Sequence, residues 1–486
     1  MSGAGSGAAR AQPSPAARVG AAGPVRAVAA VDLGATSGRV MIGRVGGGAL
    51  ELEQVARFSN GPVEREDGWH WDIEALWGHV RAGLAEALRR EPSIESVGID
   101  SWAVDYGLLR DGELVAEPFH YRDERTARGV DAVHAVVPFE ELYRRNGLQF
   151  LPFNTVYQYA ADPRLAAAES SLLIPDLFAE RLTGRRIAER TNASTTGLLD
   201  VHTGEWDTEL AAMLGIPASV LPPLVDPGET VGLAADLDAL PVVAVGSHDT
   251  ASAVVAVPMT SPNAAYISCG TWGLVGLELE APIVTDAARA ANFTNEGGVD
   301  GRIRFLHNVT GLWLLSETVR AWSEDDGAPV DLGRLLAAAG SVSVPERLFD
   351  ADDSSLAAPG DMPTRIAALL GSDAPGRSER PMFARIIVES IAQAFATTLR
   401  TATALADREI DVVHLVGGGA LNALLCQATA DRSGLPVLAG PVEATALGNV
   451  LVQARALGAF GPDASLADLR SRVAAAFPPR RYEPRS

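Results

Sequence analysis

Asp32 is the first residue whose type and position could do chemistry, because it ends an apolar run and precedes a turn rich in glycine and hydroxyl side chains (VDLGATSGRV, residues 31–40). The backbone N–H groups of such a turn form a concave nest that binds anions. A carboxylate beside a bound phosphate needs a bridging hard cation, and Mg²⁺ prefers oxygen ligands. The stretch therefore predicts an Mg²⁺ ion held by Asp32, with an ordinary β-hairpin as the alternative interpretation. The predicted phosphate cradle consists of Thr36, Ser37, Gly38 and Arg39.

A second stretch, AAYISCGTWGLVGLEL at residues 264–279, repeats the pattern of strand, glycine turn and strand. The hydroxyl group of Thr271 lies in this turn. Two phosphate nests from different parts of the chain could hold one nucleoside triphosphate between them. Cys269 is predicted to be a small buried side chain rather than a nucleophile, because a strand end beside an anion site does not favour a thiolate.

The stretch GSHDTAS, residues 246–252, places His248, Asp249 and Thr250 where a strand runs into a helix. At that junction Asp249 could accept the proton of a substrate hydroxyl group. A Ser-His-Asp triad is excluded for these consecutive residues, because adjacent side chains cannot converge in the required order. A helix N-cap is the alternative interpretation of Asp249 or Thr250, and it is compatible with a role as a base.

A run of three glycines in VGGGALN, residues 416–422, suggests contact with a nucleotide. A dinucleotide-binding fingerprint fits poorly, because Asn422 stands where the third glycine of G-x-G-x-x-G belongs. Consecutive glycines still allow a flat base or a ribose to lie against the backbone.

The elements that must position these residues alternate between strands and helices, which is typical of α/β domains. The two strand–turn–strand units indicate a weak internal duplication, with a hinge near residue 258. The expected organisation is a disordered tail at residues 1–24, rich in Ala, Gly, Ser and Pro, followed by domains at residues 25–257 and 258–486. Strands are predicted at residues 26–33, 38–45, 49–58 and 94–101, and an amphipathic helix at residues 71–91.

The composition excludes several mechanisms, because none of the 40 basic residues is a lysine. A Walker A lysine, a Schiff-base lysine and a protein-kinase lysine are therefore ruled out. The net charge of −21 argues against a nucleic-acid partner, and no apolar run is long enough to suggest a membrane span. Two cysteines form neither a disulfide framework nor a zinc site, which suits a reducing cytoplasm.

From about residue 25 onward the chain resembles the FGGY carbohydrate kinases, whose fold has two actin/hexokinase-like (ribonuclease H-like) α/β domains with a cleft between them. The resemblance implies Mg²⁺-dependent phosphorylation of a sugar by ATP. It is strongest to the kinases that act on L-rhamnulose at its 1-hydroxyl, with another ketose or polyol, such as L-fuculose or xylulose, as the alternative. A non-kinase actin-like ATPase is the less favoured reading. The motifs that carry the resemblance include VDLGATSGRVM, SVGIDSWAVDYGLL, YRDERT, LQFLPFNTVYQ, TNASTTGLLD, VGSHDTASAV, SCGTW, NFTNEGG, GLWLL, VGGGALN and AGPVEATALGN.

The resemblance also implies roles for individual residues, with Asp249 as the catalytic base. Ala103 replaces a glycine that contacts the sugar in the family, so a methyl group enters the expected sugar site. Ser316 replaces a glutamine on the ATP side, so one hydrogen bond to the nucleotide is expected to be lost or bridged by water. The implied substrate-binding residues are Ala103, His248, Asp249, Thr250 and Asn308, and the implied ATP-binding residues are Ala35, Thr36, Ser37, Gly38, Arg39, Thr271, Ser316 and Gly418.

Overall fold

The structure, a computed structural model, describes residues 24–376 and 378–485. The tail expected at residues 1–24 therefore lies, except for Pro24, outside the described residues. The described chain forms two large sheets, one built before residue 258 and one after it.

The part of the chain before residue 258 begins with a hairpin and contains most of the small strands. Its strands are β1 (Arg26–Leu33), β2 (Ser37–Gly46), β3 (Ala49–Ser59), β4 (Pro62–Arg65), β5 (Gly68–Trp71), β6 (Ile94–Ser101), β7 (Tyr106–Arg110), β8 (Glu113–Leu114), β9 (Ser170–Leu173), β10 (Ala188–Glu189), β11 (Leu224–Val225), β12 (Thr230–Ala234) and β13 (Leu240–Val243). Its helices are α1 (Ile73–Arg90), α2 (Thr126–Val136), α3 (Phe139–Asn146), α4 (Thr155–Ala161), α5 (Ile174–Thr183), α6 (Arg190–Ala193), α7 (Thr208–Met213) and α8 (Asp249–Val255).

The part after residue 258 begins with a second hairpin. Its strands are β14 (Ala264–Cys269), β15 (Trp272–Leu279), β16 (Thr294–Gly297), β17 (Ile303–Thr310), β18 (Val412–Val416), β19 (Val437–Ala439) and β20 (Arg480–Tyr482). Its helices are α9 (Asp286–Ala290), α10 (Trp313–Asp326), α11 (Leu332–Gly340), α12 (Met362–Leu370), α13 (Arg380–Ala406), α14 (Ala423–Ser433), α15 (Ala444–Ala456) and α16 (Leu466–Ala476).

The two large sheets share one topology, which gives the weak sequence duplication a structural basis. The first sheet has the strand order β12-β13-β6-β1-β2-β3, and the second has the order β16-β17-β15-β14-β18-β19-β20. In each sheet an antiparallel hairpin, β1–β2 or β14–β15, is continued on one side by an antiparallel strand and on the other by a parallel strand. We call these two units, with their turns, the first hairpin and the second hairpin.

The central strands are almost wholly apolar because both faces of each sheet are covered. Residues 27–33 of β1 are all buried, and the only charged one is Asp32 at the end of the strand. Helix α1 covers one face of the first sheet with an apolar stripe that includes Ile73, Leu76 and Val80. Its first turn is capped by the side chain of Asp72, which accepts a hydrogen bond from the N–H of Ala75 at 2.9 Å.

Helices α8 and α15 pack together between the sheets and share a core with both of them. A buried polar network joins α15 to the first sheet: Gln453 donates to the carbonyl of Ala29 at 3.0 Å and accepts from Ser96 at 2.7 Å. Because an unpaired buried amide is costly, this network fixes α15 against β1 and β6.

Helix α13 is longer and more apolar than the sequence analysis expected, since no apolar run was predicted to be long enough for a membrane span. By length and composition this 27-residue helix could cross a membrane, but most of its apolar window is buried inside the protein. It is the central helix of the core beneath the second sheet.

Candidate active site

The cleft between the two sheets holds a cavity of about 390 Å³. Both hairpin turns, the N-terminus of α8 and the loop after β18 open onto it. Most of the residues predicted from the sequence line this cavity: Asp32, Ala35, Thr36, Ser37, Arg39, Ala103, His248, Asp249, Thr250, Thr271, Asn308 and Gly418.

Two predicted ATP-binding residues, Gly38 and Ser316, are not brought to the cavity wall. A Cβ atom on Gly38 would come within 2.3 Å of the Phe58 ring, so this position leaves no room for a side chain. Ser316 lies one turn inside α10 with its side chain exposed. The contacts of both residues with ATP stay predictions.

Arg39 lies between two carboxylates that come from distant parts of the chain. Its Nε is 3.4 Å from Oδ2 of Asp32, and its Nη1 donates to Glu443 in the loop before α15. Burial raises the pKa of Asp32 to about 6; the charge on Arg39 opposes this rise, and those on Asp249 and Glu443 add to it. Sequence reasoning missed Glu443, since nothing in its local sequence indicates a partner 404 residues away.

The surroundings of Asp32 fit a divalent cation. Its neighbour on β6, Asp100, is fully buried, and no described residue hydrogen-bonds to its Oδ1. The other oxygen, Oδ2, accepts from Asn449 at 2.6 Å. Within residues 24–376 and 378–485, no group of three or more His, Cys, Asp or Glu side chains could hold a metal by itself. The residues therefore fit an Mg²⁺ ion that is bound partly through phosphate oxygens, which is its usual mode.

Asp249 begins α8 with one carboxylate oxygen engaged and the other open. Its Oδ1 accepts a hydrogen bond from Thr250 Oγ1 at 3.0 Å and lies 3.5 Å from Nε2 of His248. No hydrogen bond from the described residues reaches Oδ2, and the side chain is 31% exposed on the cavity. The second oxygen is therefore available to a substrate hydroxyl group.

The turn before Asp249 is held by Glu189, a buried carboxylate at the end of β10. Its Oε2 accepts from the N–H of Ser247 at 2.9 Å and from the hydroxyl of Ser247 at 2.8 Å. Burial raises the pKa of Glu189, although the hydrogen bonds from Thr191 and Ser247 oppose this. Sequence analysis missed Glu189 as a positioning residue, because it lies 58 residues from Ser247 without a motif signal for the contact.

The loop after β6 carries Ala103 and has an unusual backbone. Val104 has a φ of 68°, which is rare for a β-branched residue. The next residue, Asp105, anchors the loop by accepting from the indoles of Trp71 at 2.6 Å and Trp102 at 3.1 Å. These bonds hold a strained backbone at the cavity wall where the sugar contact is expected.

Asn308 reaches the cavity from β17 with its amide oriented by a residue from the other part of the chain. Its backbone N–H and its Nδ2 donate to Oε1 of Gln149 at 2.9 Å and 3.0 Å. The side-chain oxygen of Asn308 therefore remains available as an acceptor. Gln149 lines the same cavity, and it lies within the motif LQFLPFNTVYQ, whose individual residues had been given no role.

Comparison of the sequence with known families identifies the family of this chain. Residues 27–256 match the N-terminal domain, and residues 265–457 the C-terminal domain, of the FGGY family of carbohydrate kinases. The chain belongs to the FGGY family of carbohydrate kinases. This confirms the resemblance drawn from the motifs and the expectation of a carbohydrate kinase.

Curated relatives and solved structures agree with this family assignment. The chain is 39% identical to a rhamnulokinase of Bacteroides thetaiotaomicron, with 94% of this chain and 95% of that protein covered. It is 41% identical to a rhamnulokinase of Klebsiella pneumoniae, with 88% and 89% covered.

Among solved structures the FGGY chain is similar to gluconate kinase from Lactobacillus acidophilus, with a TM-score of 0.77, 16% identity and coverage of 95% and 94%. It is also similar to Plasmodium falciparum glycerol kinase with ADP, with a TM-score of 0.74, 16% identity and the same coverage. These structures confirm the expected two-part α/β fold.

Proposed function

We propose that this FGGY kinase transfers the γ-phosphoryl group of ATP to the 1-hydroxyl of L-rhamnulose, giving L-rhamnulose 1-phosphate and ADP. The observation that carries the proposal is the convergence of Asp249 and both glycine turns on one cavity. The choice of sugar is supported by the 39% and 41% identity to proteins named rhamnulokinase.

In this proposal Asp249 is the base. Its free Oδ2 accepts the proton of the sugar hydroxyl as the oxygen attacks the γ-phosphorus. Thr250 holds Oδ1 of Asp249 at 3.0 Å, so the carboxylate presents a fixed oxygen to the hydroxyl. Asn308 and His248 bind the sugar from the two sides of the cleft, and Ala103 lies at the wall of the sugar site.

The two hairpins bind the triphosphate through backbone N–H groups and the hydroxyls of Thr36, Ser37 and Thr271. Gly418 lies at the adenosine end, where a Cβ atom would meet no atom within 4 Å, so a flat ring can lie against its backbone. When bound, Mg²⁺ supplies positive charge to the phosphate oxygens, and Asp32 would hold it, directly or through water. Catalysis by position and charge suits a chain without lysine.

The two cysteines, Cys269 and Cys426, are both free and buried. Burial raises the pKa of each thiol, to about 12 for Cys426, so neither is a nucleophile at neutral pH. A chain with only two cysteines suits the reducing cytoplasm, which we propose as the site of the reaction.

An ADP-release assay tests the proposal. Purified protein with MgATP is given L-rhamnulose, L-fuculose, D-xylulose, L-xylulose, glycerol or no sugar. The expected result is the highest kcat/KM with L-rhamnulose and little release without sugar. A higher kcat/KM with another ketose would show that the protein is a kinase for a different sugar. Strong ADP release without sugar would favour an ATPase.

A further inference from the structure

Arg304 is a fully buried arginine that contacts the candidate active site from behind. It lies on β17 opposite Glu296 on β16, and its Nη1 is 3.0 Å from Oε2 of Glu296. Its Nε donates to the carbonyl of Gly297 at 2.9 Å, and its Nη2 donates to Nδ1 of His248 at 3.0 Å. One guanidinium group therefore links the second sheet to the residue that precedes Asp249.

The contact with Arg304 decides which nitrogen of His248 carries the proton. A guanidinium group donates only, so Nδ1 must act as the acceptor and the proton of the neutral ring sits on Nε2. The carboxylate of Glu296 lies 3.3 Å from the same Nδ1 and would accept a hydrogen bond from an Nδ1–H group, so it is the competing partner that Arg304, at 3.0 Å from Nδ1, must outweigh. The Nε2–H group then faces Oδ1 of Asp249 at 3.5 Å.

We propose that Arg304 is a positioning residue that fixes the Nε2–H tautomer of His248. This tautomer places its one N–H donor at the cavity, 3.5 Å from Oδ1 of Asp249, where it can donate to an oxygen of the bound sugar, while Oδ2 of Asp249 stays free for the reacting hydroxyl. The catalytic part of the inference rests on the proposed role of Asp249 as the base, whereas the tautomer itself does not. Glu296 neutralises Arg304 and completes the chain of contacts from the second sheet to Asp249.

The test uses three variants and one matched control. Arg304→Lys keeps a group that only donates, so it can preserve the tautomer. Arg304→Met removes the donor, and the double variant Glu296→Gln with Arg304→Met also removes the carboxylate that would otherwise be buried without a partner. Arg385→Met is the control, because Arg385 is a buried arginine of α13 that donates to Glu389 at 2.9 Å and does not line the cavity.

The direct readout is ¹⁵N NMR of protein labelled with [¹⁵N]histidine, because the shifts of Nδ1 and Nε2 identify the tautomer. The signals of His248 are assigned by their loss in His248→Gln. The expected result is an unprotonated Nδ1 in the wild type and in Arg304→Lys, and a changed tautomer balance in the folded methionine variants. Steady-state assays should then show kcat/KM for the sugar reduced about 10–100-fold by the loss of an orienting partner, with KM for ATP unchanged.

Two results would overturn the inference: an unchanged His248 tautomer in the folded double variant, or an equal loss of sugar kcat/KM in Arg385→Met. The proposed function fails separately, since an Asp249→Asn enzyme with wild-type turnover would remove the base while leaving the tautomer result intact.

Discussion

The first and second hairpins have the same backbone design, but only the first has charged side chains beside its turn. In each, a glycine just after the turn lies under a phenylalanine ring: a Cβ atom would come within 2.3 Å of Phe58 at Gly38 and within 2.3 Å of Phe395 at Gly273. The first hairpin carries Asp32 and Arg39 beside its turn, whereas residues 264–277 of the second contain no charged side chain.

Under the proposed function, the two hairpins would therefore contact different parts of one ligand. The first hairpin brings Asp32 close to the carboxylates of Asp249 and Glu443. Such a group of carboxylates suits phosphates that carry a bound metal ion. The turn of the second hairpin offers the hydroxyl of Thr271 and backbone N–H groups. These groups suit phosphate oxygens, and the turn has no carboxylate that would bind the cation.

Among the changes that test this comparison, the largest effect is expected from removing the carboxylate of Asp32 in the first hairpin. Asp32→Asn should lower kcat about 10²–10³-fold, because the transferred phosphoryl group loses charge stabilisation. The same change should stabilise the protein in the absence of nucleotide and Mg²⁺. Asp32 has a pKa of about 6 in the folded protein and a pKa near 3.8 in the unfolded chain, so its burial costs stability as the pH rises from about 4 to about 6, and the cost stays constant above that.

Thermal unfolding of Asp32→Asn and of the wild type, measured on both sides of pH 6, tests whether the substitution stabilises the protein. The variant should gain up to about 3 kcal/mol over the wild type above pH 7, and the gain should shrink toward pH 4. A variant that is less stable at all pH values, or one with an unchanged Mg²⁺ titration, contradicts the role given to Asp32.

A smaller effect is expected from filling the space under the two phenylalanine rings. Phe395 is fully buried and cannot move aside, so Gly273→Ala should cost about 1–3 kcal/mol in the free energy of unfolding. Phe58 borders an open groove beside His79, so Gly38→Ala should cost about 1 kcal/mol or less.

Denaturant unfolding of both glycine variants, with ATP kinetics of the folded enzymes, provides the measurement. KM for ATP should stay near the wild-type value in Gly38→Ala, because the added methyl group points at Phe58. A large rise in KM for ATP would show that Gly38 is part of the phosphate-binding turn.

The second hairpin is tested by Thr271→Val, which keeps the shape and removes one hydroxyl group. We expect KM for ATP to rise about 10-fold, the effect of one hydrogen bond to a charged group, with an unchanged dependence on Mg²⁺. Titrations of ATP and of Mg²⁺ separate the two effects. A shifted Mg²⁺ dependence would mean that the second hairpin also contributes to the metal site.

The smallest effect is expected at Ala103, which belongs to neither hairpin. Ala103→Gly removes one methyl group from the wall of the proposed sugar site, and a methyl group discriminates by about 1–3 kcal/mol at most. We expect kcat/KM for L-rhamnulose to stay constant or rise slightly, with the same order across the sugar panel. A reversal of that order by the variant would show that the methyl group selects the sugar.

Much of the fold could be predicted from the sequence, because alternating apolar runs and glycine turns determine hairpins locally. The predicted strand at residues 94–101 matches β6, and both hairpins lie where their patterns indicate. The contacts of Arg39 with Glu443, of Glu189 with Ser247 and of Arg304 with His248 could not be predicted. Each joins residues at least 56 positions apart, and local patterns carry no record of such pairings.

The site residues, like the fold, were predictable where local sequence determines their position and not where distant contacts do. Residues beside a strand end or a turn, such as Asp32, Asp249 and Thr271, reach the cavity because the backbone directs them there. Gly38, predicted from the glycine turn, and Ser316, implied by the resemblance alone, do not line the cavity, because Phe58 covers the first and the second lies on the exposed face of α10. The domain limits at residues 257 and 258 and the roles of individual residues stay predictions.

Turnover of Asp249→Asn with MgATP and L-rhamnulose tests the role of Asp249 as the base most directly. The substitution keeps the shape of the side chain and the bond from Thr250, but it removes the group that accepts the proton. We expect kcat to fall about 10²–10⁴-fold, with a modest change in KM for the sugar and an unchanged circular dichroism spectrum. Wild-type turnover by the correctly folded variant would contradict the assignment of Asp249 as the base.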